Sequence, residues 1–395
     1  MDQRGRKTVL KDKFRLQIPG PTPIPPRVQQ AMSRPMVGHR DPDCSRLVRD
    51  LSLRLAPVFG TRNPVLLLAG SGTSALEAAA VNTLSREDEA AVVVTGAFGD
   101  RFANILSSME VTLRRLDIPW GTSCSPEELT AFLKNYPRVK TVFLTYCETS
   151  TGVLNPVREL AAVVREQTDA LTVVDGVSCI GGVPAGVEDW GIDILVSGSQ
   201  KALMLPAGLA FAAISDKAWK QIEANPHPRF YLDFRKYRNS LQNATTPFTP
   251  TVSLLFGLEE VLNMIEEEGL EATFARHRLM RDMIRAGMRA LGLALLTDDR
   301  DASPTVTAVR GGDSWSAEAL GKELRRLGLR VAGGQQHLKG EIFRIGHMGY
   351  ADPLDMLTAI TAIEVALARL GAPVEPGAGT KAAEEELIHV SSADL

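Results

Sequence analysis

Residues 171–203 read LTVVDGVSCIGGVPAGVEDWGIDILVSGSQKAL. Two aliphatic runs, Leu171–Val174 and Ile194–Val196, each break off at a polar junction: Asp175-Gly176-Val177-Ser178 after the first, Ser197-Gly198-Ser199-Gln200-Lys201 after the second. Neither run alternates apolar with polar residues, so each reads as a strand buried on both faces, the form strands take in a parallel sheet covered by helices. Working outward, Val65–Ala69, Ala91–Val94 and Thr141–Thr145 repeat the pattern, and stretches with helical character at 74–84, 100–109, 126–135 and 157–168 separate them. That alternation predicts an α/β fold, a large and mostly parallel sheet in an α/β/α sandwich.

The pattern changes after about residue 250. Val252–Glu268 and Leu270–Leu291 read as two long helices in close succession, the second leading into a small C-terminal α+β domain. That domain has expected strands at Pro304–Val309 and Ile342–Ile345 and helices at 316–327 and 353–369. The expected division is a large domain over 18–268 and a small one over 269–370. Residues 1–17, with Arg4, Arg6, Lys7, Lys11, Lys13 and Arg15 against Asp2 and Asp12, read as a flexible basic arm. From Gly371 a Pro- and Gly-rich segment runs into Glu384-Glu385-Glu386, so 371–395 reads as a disordered acidic tail.

Composition narrows the function. The chain has 395 residues, 44% of them hydrophobic, enough for two domains with a large core. Lys and Arg number 44 against 47 Asp and Glu, a net charge of −3, which leaves no cationic surplus for a nucleic-acid groove. Cys44, Cys124, Cys147 and Cys179 are scattered without a CxxC pair or zinc-ligand spacing, which fits a reducing, cytoplasmic setting and no metal site. No apolar run reaches the roughly 18 residues of a membrane span, and no signal peptide is expected behind the polar N-terminus.

Ligands of open parallel sheets bind beyond the carboxyl ends of the strands, so the junctions are where chemistry is expected. After Val65–Ala69, Gly70-Ser71-Gly72-Thr73-Ser74 opens a helix. It reads either as a phosphate cradle or as a plain turn with Thr73 or Ser74 as cap. Gly96-Ala97-Phe98-Gly99 offers an aromatic face for a planar ligand, or a core phenylalanine. Asp175 can cap a turn, bind a metal or hold a cationic ring nitrogen, the metal reading being short of neighbouring ligands. Lys201 is a desolvated amine nucleophile if buried, and a snorkelling surface lysine if not. Together, a phosphate cradle, a stacking aromatic, an acid for a ring nitrogen and a Schiff-base lysine are the set that pyridoxal 5'-phosphate chemistry requires.

With these residues the chain resembles the class V aminotransferases among the fold-type-I pyridoxal phosphate enzymes, most closely the alanine–glyoxylate and serine–glyoxylate branch. The resemblance runs from about Pro19 to Leu370. It rests on Pro19-Gly20-Pro21, Gly38-His39-Arg40, Ser71-Gly72-Thr73, Glu148-Thr149-Ser150-Thr151-Gly152, the two junctions quoted first, and Arg344-Ile345-Gly346. It implies that Lys201 holds the cofactor aldehyde and shuttles the proton, and that Asp175 keeps the ring nitrogen protonated. Val177 and Phe98 would flank the ring, Thr149 would lie near its hydroxyl, and Ser71, Gly72, Thr73 and Gln200 would hold the phosphate. Thr246, where the family has Tyr, and Thr249 would reach the phosphate of the partner in a homodimer. Arg344 would grip the substrate α-carboxylate, with Gly20 beside it. An arginine inside Ile342-Phe343-Arg344-Ile345 needs an anionic partner, either a substrate or a structural salt bridge.

Three functions compete. The first is transamination from a small amino acid, such as alanine or serine, to glyoxylate or another 2-oxo acid. The second is a cysteine desulfurase-like lyase, which needs a mobile nucleophilic cysteine where the last one is Cys179. The third is a non-catalytic assembly partner that retains the fold.

Overall fold

The computed structural model describes residues 14–389. Seven strands make the central sheet: β1 (Leu66–Gly70), β2 (Glu89–Val94), β3 (Thr112–Asp117), β4 (Val139–Thr145), β5 (Leu171–Asp175), β6 (Ile194–Gly198) and β7 (Gly208–Ile214). Their order is β1-β7-β6-β5-β4-β2-β3, with β7 antiparallel to both neighbours and every other pairing parallel. Strands β2, β5 and β6 are buried along their whole length, as continuous aliphatic runs require. Successive side chains feed opposite layers. Leu67, Val93, Val142, Val174 and Leu195 enter one core, while Leu66, Val92, Phe143, Val173 and Val196 enter the other.

This sandwich is the large parallel-sheet fold expected from residues 171–203, with two additions. β3, with two arginines, takes the exposed edge, and the alanine-rich β7 fills the gap beside β6. Asp175 at the end of β5 pairs with Val196 of β6, so the two polar junctions emerge side by side at one edge of the sheet.

Helix Val252–Glu268 ends at Gly269, whose φ of +87° turns the chain into helix Leu270–Ala290. Beyond it lies a small antiparallel sheet of β8 (Val306–Arg310), β9 (Ala332–Gly333) and β10 (Ile342–Gly346), with β10 in the middle. Helices Ala317–Leu327 and Pro353–Arg369 belong to a separate core with Met280, Ile284, Phe343 and Ile345.

Two expectations about the chain ends are corrected. Part of the basic arm is ordered: Arg15–Leu16 pairs in parallel with Leu329–Arg330, and the Gly346 N–H donates to the Gln17 carbonyl at 2.9 Å. Residues 1–13 of that arm lie outside the described residues. The acidic tail is not disordered over Ala378–His389, which forms a helix packed on Leu270–Ala290. A Cβ on Gly379 would come 2.9 Å from the Gly287 carbonyl, and one on Gly287 3.1 Å from that of Gly379, so small residues let the two backbones approach. Ala383 is fully buried, Glu384, Glu385 and Glu386 face water, and the Thr380 N–H donates to Glu364 at 2.9 Å. Composition pointed to a solvated tail; a narrow stripe of small residues makes it a packed helix. Ala383→Asp should therefore lower the stability of the small domain by roughly 2–5 kcal/mol, the range for an unpaired buried charge. Thermal unfolding followed by circular dichroism checks this, and an unchanged midpoint would mean that the helix contributes nothing.

Candidate active site

Lys201 follows β6 by three residues and is buried, with 7% of its surface exposed. Burial pulls its ammonium down to about 8 from 10.5. Its Nζ donates to the Pro19 carbonyl, and the Thr22 hydroxyl donates to the Lys201 carbonyl at 2.8 Å. The N-terminal segment thus closes over the lysine. Gly20 has φ +106°, and a Cβ there would stand 2.5 Å from Lys201 Cδ, so this position demands glycine for both conformation and space.

Asp175 is buried at the end of β5 and accepts the Val177 N–H at 2.9 Å. Burial, reinforced by the like charge of Glu148, lifts its carboxyl to about 6. Among the described residues no group of three His, Cys, Asp or Glu side chains stands close enough to hold a metal ion.

Ser71 is the N-cap residue of helix Gly72–Thr83, yet its hydroxyl makes no capping bond, and Ser74 Oγ donates to the Ser71 carbonyl at 2.6 Å. The plain-cap reading of this turn therefore fails for Ser74 and Thr73. Ser71 and Thr73 are exposed, whereas Gly72 is pressed between the two junctions. Its Cβ would meet Val177 Cγ2 at 2.8 Å, and a Cβ on Gly198 would meet Gly72 Cα at 3.1 Å. The buried Oε1 of Gln200 has no hydrogen-bond partner among the described residues; turning the amide over would present Nε2 to an anion.

Phe98 is half-buried in the first turn of helix Ala97–Ser108. Its N–H and that of Gly99 each donate to Glu148 Oε2 at 3.1 Å, and the Ala97 N–H donates to Ser150 Oγ at 2.9 Å. Glu148 is fully buried, and burial raises its pKa. This anchoring of the aromatic by Glu148 was not foreseen; Glu148 entered the sequence reading only as a letter of its motif. Thr149 is buried, bonded through its hydroxyl to Ser178 Oγ.

Arg344, in β10, donates from Nε and Nη2 to the Gly333 carbonyl at 2.9 and 2.7 Å, and from Nη1 to the Thr149 carbonyl at 2.9 Å. It is buried, and burial pulls its pKa down to about 10. No carboxylate of the described residues forms an ion pair with it, so the structural salt bridge is absent there and its charge is met by carbonyl oxygens alone.

The structure thus brings Ser71, Gly72, Thr73, Phe98, Thr149, Asp175, Val177, Gln200, Lys201, Gly20 and Arg344 into a connected set of contacts and junctions. Thr246 and Thr249 form no hydrogen bond with these residues among the described ones. The Thr246 hydroxyl donates to the Phe248 carbonyl at 2.7 Å within its own loop, and Thr249 is exposed; both line a crevice with Ala69 and Tyr231.

A desolvated amine, a buried acid, an uncapped helix N-terminus with free hydroxyls and a half-exposed aromatic fit a planar cationic ring carrying an aldehyde and a phosphate. The family model "Aminotransferase class-V" matches residues 18–346. The chain belongs to the class V aminotransferases. It is 41% identical to a protein of Synechococcus named soluble hydrogenase, small subunit, over 96% of this chain and 99% of that one. It is 34% identical to the serine–glyoxylate aminotransferase of Methylorubrum extorquens, over 94% and 95%. The crystal structure of ureidoglycine–glyoxylate aminotransferase from Bacillus subtilis superposes with a TM-score of 0.90 at 30% identity, covering 97% of this chain and all of that one.

With its pKa near 8, Lys201 carries about 300 times more free amine at pH 7 than an ordinary lysine. Reductive methylation of the cofactor-free chain, followed by peptide mass analysis, should therefore show Lys201 reacting with a midpoint near pH 8, well below the surface lysines. A midpoint near 10.5 would mean that its amine is not desolvated.

Proposed function

We propose that this class V aminotransferase moves the amino group of a small amino acid, alanine or serine, to glyoxylate or another small 2-oxo acid. In this reading it works as a cytoplasmic homodimer with pyridoxal 5'-phosphate held at Lys201. The observation that carries the reading is Arg344, a buried guanidinium whose hydrogen bonds go to carbonyls alone among the described residues. A carboxylate shared in turn by amino acid and oxo acid is the partner it lacks, and sharing one anchor makes the two half-reactions alternate.

When bound, the cofactor supplies a carbonyl carbon for the amino group and an electron sink for the substrate Cα. Lys201 Nζ would hold that carbonyl carbon and, as a free amine, would take the proton from the substrate Cα and deliver it to the cofactor carbon that bore the carbonyl. A low amine pKa suits it to both steps. Asp175 would accept the hydrogen bond of a protonated ring nitrogen, a cationic partner for a carboxyl whose pKa burial lifts. Phe98 and Val177 hold the ring plane. Ser71, Gly72, Thr73 and Gln200 hold the phosphate through neutral donors at a helix N-terminus. Thr149 would lie near the ring hydroxyl, and Gly20 would leave space beside the substrate. Thr246 and Thr249, which line a crevice with Ala69 and Tyr231, are assigned to the partner's phosphate.

The lyase alternative is disfavoured by the cysteines. All four are buried, burial holds the Cys179 thiol well above its ordinary pKa, and that of Cys147 is pushed up to about 11. None is a ready thiolate.

Single-turnover spectroscopy tests the proposal. Alanine or serine should convert the bound cofactor to its amine form, and glyoxylate should convert it back. Arg344→Lys keeps the charge but loses the fork, so it should slow each half-reaction roughly 10- to 100-fold. Conversion that never occurs in the wild type, or an elimination product formed without an oxo acid, would replace transamination by lyase chemistry. Asp175→Asn should retain cofactor yet lose orders of magnitude in both halves; near-normal rates would assign the ring nitrogen another partner.

A further inference from the structure

Arg101 lies one turn into helix Ala97–Ser108, on the element that presents Phe98. Its guanidinium carbon stands 4.6 Å from the centroid of the Phe98 ring, and Nη1 reaches toward the Thr73 hydroxyl at 3.5 Å. The side chain is exposed and forms no ion pair among the described residues. Its sequence neighbour Asp100 is engaged elsewhere, by Arg115 at 2.8 Å and by the Gln336 amide at 3.0 Å. A solitary surface arginine is ordinary. This one touches both the aromatic face and the cradle, and its positive charge is felt at Asp175 and at Lys201 alike, favouring the ionised acid and the free amine.

The cradle itself has no charge. Ser71 and Thr73 bring hydroxyls, Gly72 and its neighbours bring backbone N–H groups, and Gln200 brings an amide. A phosphate near neutral pH carries between one and two negative charges, which neutral donors and a helix dipole offset only in part. Lys201 is committed to the aldehyde end, and Arg344 is tied to Gly333 and Thr149 on the substrate side.

We propose that Arg101 is the counter-cation of the cofactor phosphate, sharing Thr73 with it and leaving the Phe98 face to the ring. This rests on the proposed cofactor site and adds a residue to it. It makes the phosphate group, more than the ring, the part whose affinity depends on Arg101. It also explains why the stacking aromatic and the cation share one helix: the Glu148 anchor on the first-turn N–H groups of Phe98 and Gly99 fixes both. The same cation could instead meet the distal carboxylate of a dicarboxylic substrate, and the test separates the two anions.

Equilibrium titration of the full-length, cofactor-stripped chain with pyridoxal 5'-phosphate and with pyridoxal, which lacks the phosphate, reads the difference directly. Arg101→Gln should weaken the phosphorylated ligand roughly 10- to 100-fold and leave pyridoxal within about twofold. Arg101→Lys should recover part of the loss, and added salt should weaken the wild type more steeply than Arg101→Gln. An equal loss for both ligands would overturn the proposal and make Arg101 a packing partner of Phe98. Unchanged affinity for both ligands, with a raised KM for aspartate but not alanine, would overturn it in favour of the distal carboxylate. A wild-type chain that binds pyridoxal but gains nothing from the phosphate would overturn it while sparing the ring site. A wild type that binds neither ligand would overturn the proposed function and this inference together.

Discussion

Burying one amine sets the terms for the rest of this molecule. A lysine is seldom taken out of water without a carboxylate partner, and among the described residues Lys201 has none in ion-pair contact. Its hydrogen bond is accepted by a carbonyl of the N-terminal segment, and that segment can lie over the lysine only because residue 20 has no Cβ. The segment in turn is held by the small domain, through the pairing of Arg15–Leu16 with Leu329–Arg330 and the bond from Gly346 to Gln17. Gly346 lies two residues beyond Arg344 on the same strand. The buried amine of the large sheet and the guanidinium of the small one are therefore linked by one short path of backbone, and a shift of either domain moves the segment that covers the amine.

Four buried charges stand around that path: Lys201, Asp175, Glu148 and Arg344, each short of a full counter-ion. The protein bears this at a cost to its own stability that varies with pH. For Asp175, whose carboxyl rises from 3.8 to about 6, the folded state holds the proton longer, so its contribution to stability falls as pH climbs through that interval. For Lys201, lowered from 10.5 to about 8, the unfolded state holds the proton longer, so stability rises between those values. At neutral pH both groups sit on the unfavourable side. A bound cationic ring would relieve the first and covalent attachment of the amine the second, which is how ligand binding and folding become coupled.

How much of this was legible in the sequence follows from which residues announce their own environment. β5 and β6 were readable because β-branched and leucine residues run without interruption and then stop at Gly, Asp and Ser. β7 was missed since Gly208-Leu209-Ala210-Phe211-Ala212-Ala213-Ile214 is rich in alanine, which favours helix, and only its place between β6 and β1 makes it a strand. β3 was missed because Arg114 and Arg115 break the apolar pattern at an edge that faces water. The tail helix was hidden by its own polarity, its buried face being little more than Gly379 and Ala383. The Gly-Ser turn, Asp175, Lys201 and Arg344 stood at strand ends or inside an apolar strand, where their oddity shows. Glu148 and Arg101 did not stand out: one depends on a contact with a helix 50 residues away, the other on the absence of an ion-pair partner, and neither can be read along a chain.

That difference also separates two kinds of specificity. The recognition built from Gly72, Gly198 and Val177 is steric, set by backbones so close that any added Cβ must displace a neighbour. It belongs to the doubly covered sheet and, in the proposed function, would favour a flat ring with a compact anion. The recognition built from Arg344 belongs to the small domain, whose middle strand places the guanidinium against Thr149 of the large one. A carboxylate there is measured across the junction between two separately packed cores, so its position depends on how those cores meet. If the proposed site holds its ligands as assigned, the large domain would keep one ring geometry unchanged while the small domain sets the distance at which a substrate carboxylate is held. A chain built this way can exchange its amino donor without rebuilding the site that activates it.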